Sequence, residues 1–319
     1  MDKNVLIALG LGAFVMLSCE REIEFDKKEN HAQLTTHATI ENGEAARVFV
    51  SAVVPLYDQY SGSFDSPPKG PDVQGAEISI SNGSRTENIT IEEYDPYNSI
   101  VGTSIWKDGD QLSLRVQHPD YPTLTGTTRF HPKPVVEILE VGVYEQTEYG
   151  YTQEFHRIRC RVSNFGGPNQ SHLQIKLEGN KYGYSSLASF DPRFFDPYGT
   201  DPGEEPRLIG MGRSALFEGN PSSSEVDFYL YVSSQPYYNP ETSEYAEQDT
   251  LKFAYSFLTS EAYRFETSLM LQEANAYDLF SSAVRIPSYL EGGIGIVYTT
   301  NSAREEIVAD VLNKDWRQF

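Results

Sequence analysis

Short runs in which apolar and polar residues alternate, separated by strong turn signals, constrain this chain more than any other feature. Between residues 33 and 130 such runs fall at 45–54, 76–81, 86–93, 112–116 and 123–130. Successive side chains of a strand point to opposite faces, so a period of two marks one buried and one wet face. The runs are separated by Ser66-Pro67-Pro68-Lys69-Gly70-Pro71, Asn82-Gly83, Lys107-Asp108-Gly109-Asp110 and His118-Pro119-Asp120-Tyr121-Pro122. Proline fixes φ and glycine permits positive φ, so these segments turn the chain; Asn-Gly predicts a type I′ hairpin. Strands this short and this evenly spaced predict an immunoglobulin-like β-sandwich over residues 33–131.

Pro132 and Pro134 mark a linker, and further strand-like runs at 135–144, 156–164, 173–178, 226–233 and 250–258 predict a second β domain over residues 132–319. Ser260 is a candidate helix cap with Glu261 in the first turn, and Ala262, Phe265, Leu269 and Ala276 follow at helical spacing. One helix is therefore expected near residues 260–277. Glu291-Gly292-Gly293-Ile294-Gly295-Ile296-Val297-Tyr298 reads as a turn into a strand whose glycines permit close backbone approach or a bulge. Residues 304–319 read as a short terminal helix. The expected fold is mainly β: an N-terminal immunoglobulin-like sandwich, then a second β domain with one C-terminal helix.

The first residues set the address. Lys3 precedes an apolar run at residues 5–17, too short for the roughly 20 residues of a membrane-spanning helix. It reads as a signal peptide over residues 1–18. Met16-Leu17-Ser18-Cys19 resembles the site cut by lipoprotein signal peptidase, with Met where Leu is usual, so Cys19 is expected to be the lipid-bearing first mature residue. Residues 19–32 are charged and poor in apolar side chains, as suits a tether. An acidic stretch after such a cysteine resembles a surface-export signal, so the expected address is the outer membrane, on the cell surface or in the periplasmic leaflet. Of the 2 cysteines only Cys160 would then remain, which leaves no internal disulfide. A formal net charge of -21 argues against nucleic acid and anionic headgroups as partners.

Four segments in order resemble one family: Val73-Gln74-Gly75-Ala76-Glu77-Ile78-Ser79-Ile80, His118-Pro119-Asp120-Tyr121-Pro122-Thr123-Leu124-Thr125, Ser260-Glu261-Ala262-Tyr263-Arg264-Phe265 and Glu291-Gly292-Gly293-Ile294-Gly295-Ile296. Together they resemble the domain of unknown function 4249 family of Bacteroidota lipoproteins. The resemblance implies an outer-membrane lipoprotein, often encoded beside a TonB-dependent receptor, and brings no catalytic residues with it.

The search for chemistry turns up no nucleophile elbow, metal-ligand pair or phosphate loop, and no cofactor or metal is expected. Alternation puts Cys160 on the face of Ile158 and Val162, hence in the core, and His118 and His131, each before a proline or beside a turn, read as exposed turn histidines. The stretch 191–206 is rich in Asp, Pro, Gly and aromatics, and loops of this kind carry function. Asp191, Phe194, Phe195, Asp196, Tyr198 and Asp201 are the candidate binding residues there. Tyr182, Tyr184, Tyr237 and Tyr238 are further loop aromatics, and Thr250 in Asp249-Thr250-Leu251 fits a short O-glycosylation acceptor. The expected function is a non-enzymatic accessory of a TonB-dependent transporter, held by lipid on Cys19. A capture protein for a glycan, peptide or other nutrient is the alternative, and a hydrolase using Asp191 and Asp196 a more distant one.

Overall fold

A computed structural model of the chain describes residues 33–53, 73–92, 100–148, 151–165, 170–178, 186–197, 199, 209–220, 222–233, 237–239, 244–246, 250–275 and 284–308. The strands are β1 (Gln33–Glu41), β2 (Ala45–Val53), β3 (Glu77–Ser81), β4 (Thr86–Thr90), β5 (Ile100–Ile105), β6 (Gln111–His118) and β7 (Tyr121–Arg129). There follow β8 (Val135–Glu148), β9 (Tyr151–Ser163), β10 (His172–Glu178), β11 (Ser186–Ser189), β12 (Ile209–Gly210) and β13 (Ser214–Glu218). The last are β14 (Glu225–Ser233), β15 (Tyr237–Asn239), β16 (Glu244–Ala246), β17 (Thr250–Leu258), β18 (Ile294–Thr300) and β19 (Ala303–Val308), with helix α1 (Ser260–Asn275) between β17 and β18. Among the described residues the molecule is mainly β with one helix, near the C-terminal end, as the alternation predicts.

Two face-to-face sheets form the first sandwich, one in the order β18-β1-β2-β5 and the other β4-β3-β6-β7. Leu34, Ala38 and Ile40 of β1 meet Ile78 and Ile80 of β3 and Leu112, Leu114 and Val116 of β6 in its core, with Trp106 fully buried among them. A full burial of one such side chain contributes about 1.5–3 kcal/mol. The side of this sandwich at β4 and β5 is closed by a carboxylate. Glu87 Oε1 accepts from Thr103 N at 2.5 Å, Thr103 Oγ1 at 2.9 Å and Ser104 N at 3.1 Å, bridging an edge strand of each sheet.

The first sandwich is not built from residues 33–131 alone. β18 pairs in parallel with β1, Thr35 opposite Ile294 through Glu41 opposite Thr300, so a strand from the far end of the chain completes the first sheet. The glycines make this approach physically feasible. A Cβ on Gly295 (φ +129°) would stand 1.8 Å from Thr36 O, and one on Gly292 (φ +79°) 2.0 Å from Thr123 O. Gly126 of β7 likewise leaves room for Leu290 and Val297.

The second sandwich stacks the sheet β13-β10-β17-β19 on the sheet β12-β11-β14-β9-β8. Phe253, Tyr255 and Phe257 of β17 face Ile158, Cys160 and Val162 of β9 and Phe228 and Leu230 of β14 in its core. Residues 304–308, expected within a terminal helix, belong to β19 instead, antiparallel to β17 with Ala303 and Ile307 in the core. Pairing with the open edge of β17 outweighs the local helix preference of Arg304-Glu305-Glu306. The remainder of that expected helix lies outside the described residues.

Two local expectations are corrected. Of the residues in the β3–β4 turn only Gly83 takes positive φ (84°), so the turn is not type I′ on Asn82-Gly83, which needs positive φ at both; Asn82 N instead donates to Arg85 O at 3.1 Å across Gly83-Ser84. Asn82 spends its carboxamide on the loop: Oδ1 accepts from Ser84 N at 3.2 Å and Arg85 N at 2.9 Å. Helix α1 is capped by Thr259, whose Oγ1 accepts from Ala262 N at 3.0 Å, and Ser260 is its first helical residue. Phe265 and Ala262 of α1 pack with Leu216 and Leu258 on one side and Ile296 and Tyr298 of β18 on the other, so the helix bridges the two sandwiches.

Candidate functional site

Of the aromatic residues in the stretch from Asp191, Phe194 is buried and Phe195 half-buried. Phe194 is 2% exposed in the second core, its ring edge-on to Phe217 at 5.0 Å and Phe228 at 5.4 Å. Its backbone forms an isolated bridge with Phe217, which carries the segment across the end of the sandwich. Phe195 packs against the cluster around α1. Asp191 is engaged by Arg193, with Arg193 Nε 2.9 Å from Oδ1 and Nη2 2.5 Å from Oδ2, and Asp196 is half-buried. The binding platform expected at Phe194 and Phe195 is thus part of the packing, because two adjacent large rings here have two adjacent cores to fill. Tyr198, Asp201, Tyr182 and Tyr184 lie outside the described residues, as do Cys19 and the tether. The side chains of Tyr237 and Tyr238 lie outside them too. Thr250 opens β17 and is half-buried.

Cys160 is in the core as alternation predicts, its Sγ 3.4 Å from Tyr255 Oη. Burial pushes its thiol up to about 12, so it remains protonated and unreactive at neutral pH. His131, expected at an exposed turn, is 6% exposed. Burial first and the Arg129 charge second hold its imidazole below the ordinary value, against the pull of Glu261, so it is neutral at pH 7. His118 stands half-buried against Tyr121, ring centres 5.0 Å apart.

His131 marks a polar cleft where the sandwiches meet. A hollow of about 510 Å³ lies along β7 and β18 under the start of α1, lined by Gln111, Thr127, Arg129, His131, Glu261 and Tyr289 among others. A second of about 470 Å³ adjoins it, sharing Gln111, Arg129 and His131 and adding Asp110 and Gln170. Its walls are held by a polar clasp: Asn301 Nδ2 donates to His131 O at 3.2 Å, and Asn42 Nδ2 donates to Asn301 Oδ1 at 3.1 Å. The lining combines amide, hydroxyl and imidazole groups with one cation, Arg129, and one anion, Glu261, a set suited to a polar ligand. No group of three His, Cys, Asp or Glu suited to a metal ion occurs among the described residues.

Behind the cleft, Glu266 of α1 is buried against β1 and β18. Tyr298 Oη donates to Glu266 Oε1 at 2.8 Å. His37 Nε2 is 3.2 Å from the same oxygen, near enough for charge attraction but misaligned for a hydrogen bond. Burial works to raise the Glu266 carboxyl, yet contacts with His37 and Tyr298 outweigh it and hold the group below the ordinary range. The trio fastens helix to sheet.

The outer face of the five-stranded sheet is the other organised surface. Arg157, Arg159 and Arg161 of β9 form a ladder. Asp227 of β14 receives Arg161 Nε at 2.8 Å and Arg159 Nη2 at 3.0 Å, and Glu140 of β8 pairs with Arg157. Tyr229 lies under the guanidinium groups of Arg157 and Arg159, 5.6 and 5.9 Å from its ring centre. Tyr144, Phe155, Phe190 and Tyr231 interlock at one end, the last two edge-on at 5.2 Å. Only the strand alternation of 157–161 foreshadows this face in the sequence, since its other members are brought in from β8, β11 and β14.

The chain matches no family model and no curated protein sequence. No helix among the described residues is long and apolar enough to cross a membrane.

Proposed function

We propose that this chain is an outer-membrane lipoprotein, anchored through lipid on Cys19, that acts without catalysis as an accessory of a TonB-dependent transporter. The observation that carries this reading is the apolar run ending in Leu17-Ser18-Cys19 and followed at once by Glu20-Arg21-Glu22-Ile23-Glu24. Each methylene of an acyl chain buried in the bilayer contributes about 0.8 kcal/mol, so lipid of several chains holds a water-facing body durably. The resemblance to the Bacteroidota lipoprotein family supports the transporter as partner. Crosslinking in intact cells followed by affinity purification tests it: a β-barrel transporter recovered with the chain is expected, and repeated recovery of the chain with none contradicts it.

The cleft at His131 favours a second reading, capture of a polar nutrient such as a glycan or peptide. The observation behind it is that Arg129 and Glu261 both line a hollow of about 510 Å³. Under this reading Arg129→Ala and Glu261→Gln each weaken binding on a glycan array, whereas binding indifferent to both removes the cleft from consideration.

A further inference from the structure

We propose that the outer face of the β8, β9, β14 and β11 sheet is a self-complementary surface on which two copies of this chain pair. The strand registers define its rows. Arg157 lies beside Tyr231, Arg159 beside Tyr229 and Arg161 beside Asp227, all across the β9–β14 seam. A two-fold axis running along that seam, in the plane of contact, lays β9 of one copy over β14 of the other. Each arginine then stands over a second copy of the side chain it already neighbours: Arg157 over Tyr231, Arg159 over Tyr229 and Arg161 over Asp227. An isologous contact requires this reciprocity, in which residue i meets j and j meets i.

Charge singles out the face. A body with a formal charge of -21 repels its own copy across most approaches. In the central rows here, however, three guanidinium groups stand beside three carboxylates, Glu137, Glu140 and Asp227, and the local charge cancels. The side chains are also held in advance by ion pairs and cation–π contacts, which lowers the entropy lost on association. Tyr, Phe and Arg are the residues that carry most interface energy. Tyr229 at 37% and Val135 at 55%, two of the four exposed large apolar side chains among the described residues, lie on this face. Three strands about 4.8 Å apart (β8, β9 and β14) and five rows along them give a flat footprint of roughly 500 Å², with β11 beside the rows of Tyr231 and Ser233 only. That is below the about 800 Å² per partner of a standard interface, as suits a weak dimer that forms with rising concentration.

Native mass spectrometry of the detergent-released full chain, from about 1 to 100 μM, tests the proposal. A dimer whose fraction rises with concentration is expected. Arg161→Asp and Asp227→Arg each place like charges across the seam and should shift the population to monomer, and the double variant, which restores opposite charges, should recover the dimer. Tyr229→Ala should weaken pairing about tenfold. Circular dichroism melts of every variant confirm that the fold persists. A wild-type chain that is monomeric throughout, a dimer indifferent to the single reversals, or a folded double variant that stays monomeric each overturns the proposal.

Discussion

Phe194 shows how one side chain changes the meaning of a segment. Its neighbours Asp191, Pro192, Asp196 and Pro197 look like those of a surface loop, but its ring fills the second core against Phe217 and Phe228. Replacing it by alanine leaves a cavity, and a loss of about 3–5 kcal/mol in urea-induced unfolding is expected. A Phe194→Ala variant of wild-type stability would return the residue to the surface. Nothing local in the sequence announces this burial, because the bridge to Phe217 that causes it spans a gap in the alternation. Cys160 was legible for the opposite reason: Ile158 and Val162 fix its face. Glu87 carries the acid sensitivity of the first sandwich. Burial works to raise its carboxyl, and the hydrogen bonds from Thr103 and Ser104 prevail and hold it below the ordinary 4.5. A depressed carboxylate stabilises the fold above its unfolded value, and that contribution is lost as pH falls through the lower folded value. Glu87→Gln should therefore be clearly less stable than wild type in urea at pH 7, with the difference shrinking below about pH 4.5. A gap independent of pH would exclude the carboxylate as its source.

At the scale of elements, strands with clean alternation were legible almost to the residue, β17 at Thr250–Leu258 among them. β5, with Gly102 at its centre, was not, and neither was β19, where Arg304-Glu305-Glu306 favours a helix until β17 offers an edge. Partnership was the deeper gap. The sequence marks β18 as a strand preceded by glycines, but not that its mate is β1, because a pairing between the two ends of a chain leaves no short-range trace. The glycines nevertheless carry a sharp expectation. A Cβ on Gly295 would collide with Thr36 O at 1.8 Å, so Gly295→Ala should cost more than about 4 kcal/mol, beyond what a surface substitution costs. Fluorescence of the buried Trp106 during unfolding reads this directly. A variant that unfolds at the wild-type midpoint would show that β18 does not seat against β1 in the way described.

Across the whole molecule, β18 and α1 turn two sandwiches into one body. Val297 serves the first core while Ile296 and Tyr298 on the same strand meet the helix, and Arg304 of β19 reaches both Glu41 and Glu178. The return of β18 to the first sandwich left no mark in the sequence. A body of this kind keeps the cleft at His131 and the face of β9 and β14 in fixed positions. Under the proposed function, lipid on Cys19 is what holds this body to the membrane. Mass spectrometry of the N-terminal peptide from the membrane-extracted protein tests this most directly. A peptide beginning at Cys19 and carrying acyl mass is the predicted result; a peptide that retains residues 1–18 with an unmodified cysteine would contradict it.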